Sequence, residues 1–206
     1  MVKAFVNYFF DRLRMESLIG FFYSLLYCFL FRSIGRGSFV SPFIYPLGLE
    51  CITLGSNSSI QRHTRLYALK KYGTQVFRPA INVGSNVSVG FGCTLSCVNL
   101  IHICDDVTIG DKVYIADSRH DFSDVSLGIR DQPLIPGSVI IGRGAWLGYG
   151  AFLAGDIVIG EHAVVGANSV VTKSVEPYTV VAGAPAKPIR RFNRETNKWE
   201  KLGPRE

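Results

Sequence analysis

The stretch Ile141–Glu176 reads IGRGAW LGYGAF LAGDIV IGEHAV VGANSV VTKSVE when set out in sixes. All six hexads open on Ile, Leu or Val, and four of them place Gly second. The fifth position is Ala, Ala, Ile, Ala, Ser and Val. Upstream the same phase gives VGSNVS, VGFGCT and LSCVNL from Val83. After a two-residue slip come ICDDVT, IGDKVY and IADSRH from Ile103, and LGSNSS and IQRHTR stand earlier, from Leu54 and Ile60. A fixed short period of this kind signals a β-solenoid.

One aliphatic residue in six, with a small residue four places on, puts two side chains of each short strand inward. The glycine is expected to supply a tight corner, often in a backbone conformation that other residues reach only with strain. Three such strands close a triangular coil of about eighteen residues. Each coil can bury its inner face only against its neighbours, so stability grows by stacking.

Composition narrows the rest. The 206 residues allow one domain with a short appendage, and the net charge is +6. The excess of Lys and Arg gathers toward the two ends, with no basic stripe interleaved with aromatics through the body, so nucleic acid is not an expected partner. Five cysteines, an odd number with no Cys-x-x-Cys pair, argue for a reducing compartment. Cys97, His102 and Cys104 read as small buried thiols and a histidine in preference to a zinc site.

The first 36 residues differ in character. Leu18–Phe31, LIGFFYSLLYCFLF, is nearly all apolar but too short to span a bilayer as a helix. It lacks the small residues of a signal-peptide cleavage site. Two readings stay open: a helix lying on a membrane surface, flanked by arginines, and a helix packed on its own domain or at a subunit contact.

The hexads, the GAWLG corner at 144–148 and the stretch VGANSVVTKSVEPYTVVAGAPAKPIRRF at 165–192 together resemble the hexapeptide-repeat acyltransferase family, in its branch that O-acetylates sugars and surface polysaccharides. The resemblance runs from about Phe39 to the C-terminus. It implies an all-β fold, a left-handed parallel β-helix with a short N-terminal helical segment and a C-terminal hairpin. The expected organisation is 1–36 helical, 37–186 β-helix with a loop extruded near 117–138, and 187–206 hairpin and tail.

That loop is where the rhythm breaks. From Ile115 the next hexad in phase starts at Ile141, and long excursions from a compact domain are usually functional. His120 stands at the departure point, and in the family the histidine ending an Asp-x-x-His stretch there is the catalytic base. Asp117-Ser118-Arg119-His120 fits, with Ser118 where many relatives carry a second histidine. The chemistry agrees: acyl transfer from an activated thioester to a hydroxyl needs a base to take the alcohol's proton, and donors for the developing oxyanion. Asp117 either orients His120 or caps the loop. Asp121, Asp124 and Asp131 either bond to sugar hydroxyls or keep the loop soluble. His63, His102 and His162 read as structural or solvated.

The co-substrate that the resemblance implies is acetyl-CoA, with no metal. Coenzyme A would lie in a groove between subunits of a homotrimer. Trp146 would pack near the pantetheine arm, with Gly148 and Tyr149 at the same corner. Ala167, Thr172 and Lys173 would follow toward the adenine, and Lys187 and Arg190 would stand near the phosphates. Plain solenoid packing is the other reading of Trp146. The expected acceptor is a sugar hydroxyl of a cell-surface polysaccharide or its lipid-linked precursor. The expected location is cytoplasmic, peripheral to the inner membrane face. The alternatives are a small soluble acceptor (a nucleotide sugar, free sugar or antibiotic), a non-catalytic trimeric scaffold, or a zinc enzyme built on the same helix. The last needs closely spaced histidines, and the four here are far apart.

Overall fold

A computed structural model describes residues 26, 27 and 29–202. The hexads build three parallel six-residue-period faces that wrap one interior. The first face stacks Ser33–Ile34, Ile52–Leu54, Ala80–Val83, Leu100–Ile103, Ser138–Ile141 and Ile157–Ile159. The third stacks Tyr45–Leu47, Arg65–Ala68, Thr94–Cys97, Tyr114–Ala116, Phe152–Ala154 and Val170–Val171. The second runs from Phe39–Val40 through Trp146–Leu147 and Val164–Val165 to Thr179–Gly183. Six coils result, and a partial turn follows them.

The inward pair of each hexad is the one the pattern predicts. Ile141, Leu147, Leu153, Ile159 and Val165 are fully buried, as are Ala151, Ala163 and Ser169 at the fifth position. They stack into one continuous interior.

The glycines have a different reason from the one expected. At the second hexad position Gly142 and Gly148 need no unusual torsion; a Cβ there would lie 2.6 Å from Glu161 N and 2.7 Å from Ala167 N. Close approach of the next coil, and not a left-handed conformation, excludes a side chain. The left-handed corner falls two residues later. Gly144 and Gly150 occupy it, and so do Asn57, Asn86, Asp106 and Asn168, residue types that tolerate it.

Spacing between stacked partners shows where the coils depart from the period. Ile141 lies opposite Ile159, eighteen residues on. Val83 lies opposite Ile103, twenty on, because Val98 and Asn99 widen one corner. Leu54 to Val83 takes twenty-nine residues, and Ile103 to Ile141 takes thirty-eight. Both long steps leave the prism at the corner between its third and first faces.

The two ends are covered differently. Residues 26, 27, 29 and 30 are helical, and Tyr27 and Phe31 are buried in the interior cluster at the first coil. The solenoid begins at Ser33 rather than at 37, since Ser33 and Ile34 pair with Thr53 and Leu54. At the other end Ala186–Asn193 turns back antiparallel onto Thr179–Gly183, and Lys198–Lys201 pairs with it in turn. Those two strands occupy an edge that would otherwise offer unpaired backbone groups. Of the apolar segment Leu18–Phe31, residues 18–25 and 28 lie outside the described residues, as do the arginines before it. No helix among the described residues is long and apolar enough to cross a membrane.

Candidate active site

The long excursion leaves the fourth coil after Ala116. It is a hairpin whose stem pairs Ser118–His120 antiparallel with Leu134–Pro136, His120 standing opposite Leu134. Its outer part is held from within. Gln132 is buried and accepts from Asp124 N at 3.1 Å. Asp121 accepts Ser123 N at 3.0 Å, and Asp124 accepts Ser126 N at 2.9 Å. Bonds from Ser123 and Ser126 hold the two carboxyls below the usual carboxylate range. Both aspartates therefore spend acceptor capacity on the loop's own turns.

Asp117 is fully buried, one residue before the stem. Its oxygens accept Val98 N at 2.8 Å and Asn99 N at 2.7 Å, and Cys97 Sγ lies 3.2 Å away. The carboxylate thus caps the widened corner of the coil above. No hydrogen bond joins it to His120 among the described residues, so its influence on the imidazole runs through the backbone between them. Its main chain also accepts Gly137 N at 2.6 Å, which closes the base of the excursion. Burial, with the Asp117 carboxylate beside it, pushes the Cys97 thiol's pKa far up.

His120 is exposed, and its imidazole makes no hydrogen bond among the described residues. It lines a cleft of about 190 Å³ together with Tyr72, Ser96, Tyr114, Ser118 and Leu134. The only aromatic contact of the imidazole among those residues is Tyr72, edge-on at 5.5 Å between ring centroids. Whichever ring nitrogen carries the lone pair is thus open to a substrate proton, as a general base requires.

Tyr72 belongs to the other excursion, a short hairpin of Lys71–Tyr72 and Gln75–Val76 leaving the second coil. KKYGTQV carries no hexad, so the six-residue period does not reveal this hairpin. The signal was nevertheless present: the step from Leu54 to Val83 is too long by about half a coil, and a Gly-containing turn stands between two strand-like pairs.

The residues expected to hold the cofactor are spread around the prism. Trp146, about half exposed, is on the second face, paired with Thr108 and Val164. Tyr149 and Ala167 are exposed at the corner between the second and third faces. Thr172 and Lys173 follow the last strand of the third face, at the corner where the loop departs two coils earlier. Lys187 and Arg190 are exposed on Ala186–Asn193. Gly148 is buried against the next coil and offers a ligand at most its backbone. One chain therefore does not gather them around His120. The described residues contain no group of three or more metal-ligating side chains; Cys93 and Cys97 are buried, and Cys104 is half-buried.

Comparison with known proteins bears on the fold and the family. The family model described as bacterial transferase hexapeptide (six repeats) matches residues 138–173. The chain is 35% identical over 131 residues to WbbJ of Escherichia coli K12, provisionally named a lipopolysaccharide biosynthesis O-acetyl transferase, covering 60% of this chain and 67% of that protein. It is 32% identical to the galactoside O-acetyltransferase of Escherichia coli K12, and spans about half of that relative's length, 55% of each chain. Among solved structures, AntD, an N-acyltransferase from Bacillus cereus in complex with dTDP and 3-hydroxybutyryl-CoA, superposes with a TM-score of 0.70 at 21% identity, over 84% of this chain and 90% of that one. That likeness establishes the fold, a left-handed β-helix. A repeat interior filled as the hexads require, with this identity to WbbJ across two thirds of its length, means that the chain belongs to the hexapeptide-repeat acyltransferase family.

Proposed function

We propose that this enzyme transfers an acetyl group from acetyl-CoA to a sugar hydroxyl, with His120 as general base, and that its acceptor is a cell-surface polysaccharide or the lipid-linked precursor of one. The observation that carries the reading is the imidazole of His120, without a hydrogen bond among the described residues, in an open cleft on a hairpin stem anchored to the prism. The names of WbbJ and of the galactoside enzyme support an oxygen acceptor.

The thioester of the co-substrate supplies an already activated acyl group, so no protein nucleophile is required. His120 takes the proton of the attacking hydroxyl and returns it to the departing sulfur. Asp117 serves as a positioning residue, fixing the corner from which the stem of His120 leaves. Trp146, Tyr149, Ala167, Thr172 and Lys173 form the cofactor groove, with backbone of Gly148 at its floor. Lys187 and Arg190 stand by the phosphates, Arg190 able to bind in two-point fashion and Lys187 as a point charge. Trp146 lies on the second face and His120 on a hairpin outside the prism wall, and in this reading a second copy in a homotrimer completes the groove.

The residues fit a coenzyme A arm in one testable respect: Trp146 is an exposed aromatic on a flat sheet. In a Trp199→Phe background, coenzyme A titration changes Trp146 fluorescence, and Trp146→Ala raises KM for acetyl-CoA with a smaller effect on kcat. Thioester consumption with a panel of sugar acceptors is seen in the wild type and lost in His120→Ala. A His120→Ala protein as active as wild type overturns the assignment. Association with the inner membrane face is tested by deleting residues 1–25. That cut spares Tyr27 and Phe31, which close the open end of the prism; persistent membrane association after it would exclude the N-terminal segment as the anchor.

A further inference from the structure

We infer that the hairpin Lys71–Val76 is part of the active site, Gln75 clamping the stem of the catalytic loop and Tyr72 fixing the imidazole of His120. The inference rests on His120 being the base, but its main observations do not. The hairpin leaves the second coil and the loop leaves the fourth, both at the same corner. At about 4.8 Å per coil they start about 10 Å apart. Between them the third coil contributes only the plain corner Val98–Asn99, so the two excursions meet over it.

Their meeting is specific. Leu134 N donates to Gln75 Oε1 at 2.7 Å, and Gln75 Nε2 donates to Leu134 O at 3.0 Å. A side-chain amide carries a carbonyl and an NH2 in one plane, so its oxygen and one of its two N–H groups can pair with a backbone residue as a neighbouring strand would. Gln75 thereby acts as one extra rung on the outer edge of the stem, at the residue directly opposite His120. Tyr72 Oη donates to Arg130 O at 2.8 Å, which ties the far part of the loop to the same hairpin. The Tyr72 ring meets the His120 ring edge-on, with 72° between the planes. It separates the His120 cleft from a second cleft of about 280 Å³ that Gln75 and Arg130 also line.

A base held by one contact is only as well placed as that contact. Among the described residues the His120 imidazole makes no hydrogen bond, so its direction is decided by its stem and by Tyr72. Misplacing a reacting group by about 1 Å costs on the order of a hundredfold in rate. The clamp is therefore a positioning device, and removing it lowers kcat and leaves acetyl-CoA binding nearly unchanged.

The test uses the full-length protein with Gln75→Ala, Gln75→Glu, Tyr72→Ala and Tyr72→Phe. Hydrogen exchange at residues 119–136 accelerates about tenfold or more in Gln75→Ala and is unchanged at 94–116. Gln75→Glu, which keeps the acceptor for Leu134 N and loses the donor, falls between and covers the case in which Gln75→Ala does not fold. The His120 ring proton resonances move in Tyr72→Ala and hold in Tyr72→Phe, which retains the aromatic edge. With a turning-over acceptor, kcat falls about ten- to a hundredfold in Gln75→Ala and Tyr72→Ala, with KM for acetyl-CoA within about twofold. Wild-type exchange and kcat in Gln75→Ala, or unmoved His120 resonances in Tyr72→Ala, overturn the inference. If exchange and resonances respond but the wild type consumes no thioester with any acceptor, the clamp stands and the acyltransferase reading of His120 falls. If His120→Ala is dead while the hairpin variants behave as wild type, the reverse holds.

Discussion

Replacing Asp117 by alanine separates a capping role from an orienting one. Its carboxylate accepts two backbone N–H groups of the neighbouring coil, at 2.8 Å from Val98 and 2.7 Å from Asn99. Val98 is buried, so its N–H finds no water when the acceptor goes, at a cost of about 1–3 kcal/mol. Asn99 is exposed and water replaces the acceptor in part, adding about 1 kcal/mol. The expected loss is about 2–4 kcal/mol, read from urea unfolding as a shift in midpoint at unchanged slope. Asp117→Asn keeps one acceptor oxygen and loses about half as much. In the Asn variant the folded protein retains kcat within a few-fold, because no bond to the imidazole is lost. A stability loss under about 1 kcal/mol in Asp117→Ala would refute the capping role. So would a hundredfold drop in kcat for a fully stable Asp117→Asn, which is the signature of a direct hold on His120.

Two further outcomes test the prism itself. In Gly142→Ala the new methyl meets Glu161 N at 2.6 Å, backbone that cannot turn aside, so the variant loses about 1–3 kcal/mol although its torsion suits alanine. Burial pushes the Cys93 thiol up to about 11, against an ordinary value of 9.0. The unfolded chain sheds that proton first, so the Cys93 contribution is intact below pH 9 and is lost as pH rises toward 11. The difference in stability between wild type and Cys93→Ala should therefore fall by about 2–3 kcal/mol across that window; a flat difference refutes it.

What the sequence determined by itself is the prism. A six-residue period with one aliphatic and one small inward side chain admits few structures, and Ile141 through Val171 lie inside where the phase places them. The break at Ile115 announced an excursion with His120 on it, since a residue out of phase cannot stay in the wall. The reason for the hexad glycines was not legible, because it is a distance to the next coil and not a local torsion. Nor could composition show that Asp117 faces Val98 and Asn99, nineteen and eighteen residues back along the chain and one coil away in space. The two-residue slip at that corner gave no hint of what would fill it. Only the tertiary structure decided that a second excursion, hidden between Ala68 and Ala80, reaches over a plain corner to Leu134 and His120. Stacking brings residues together at one coil's height regardless of how many residues lie in the loop between. A contact made across coils by two out-of-phase segments leaves no period in the sequence to read.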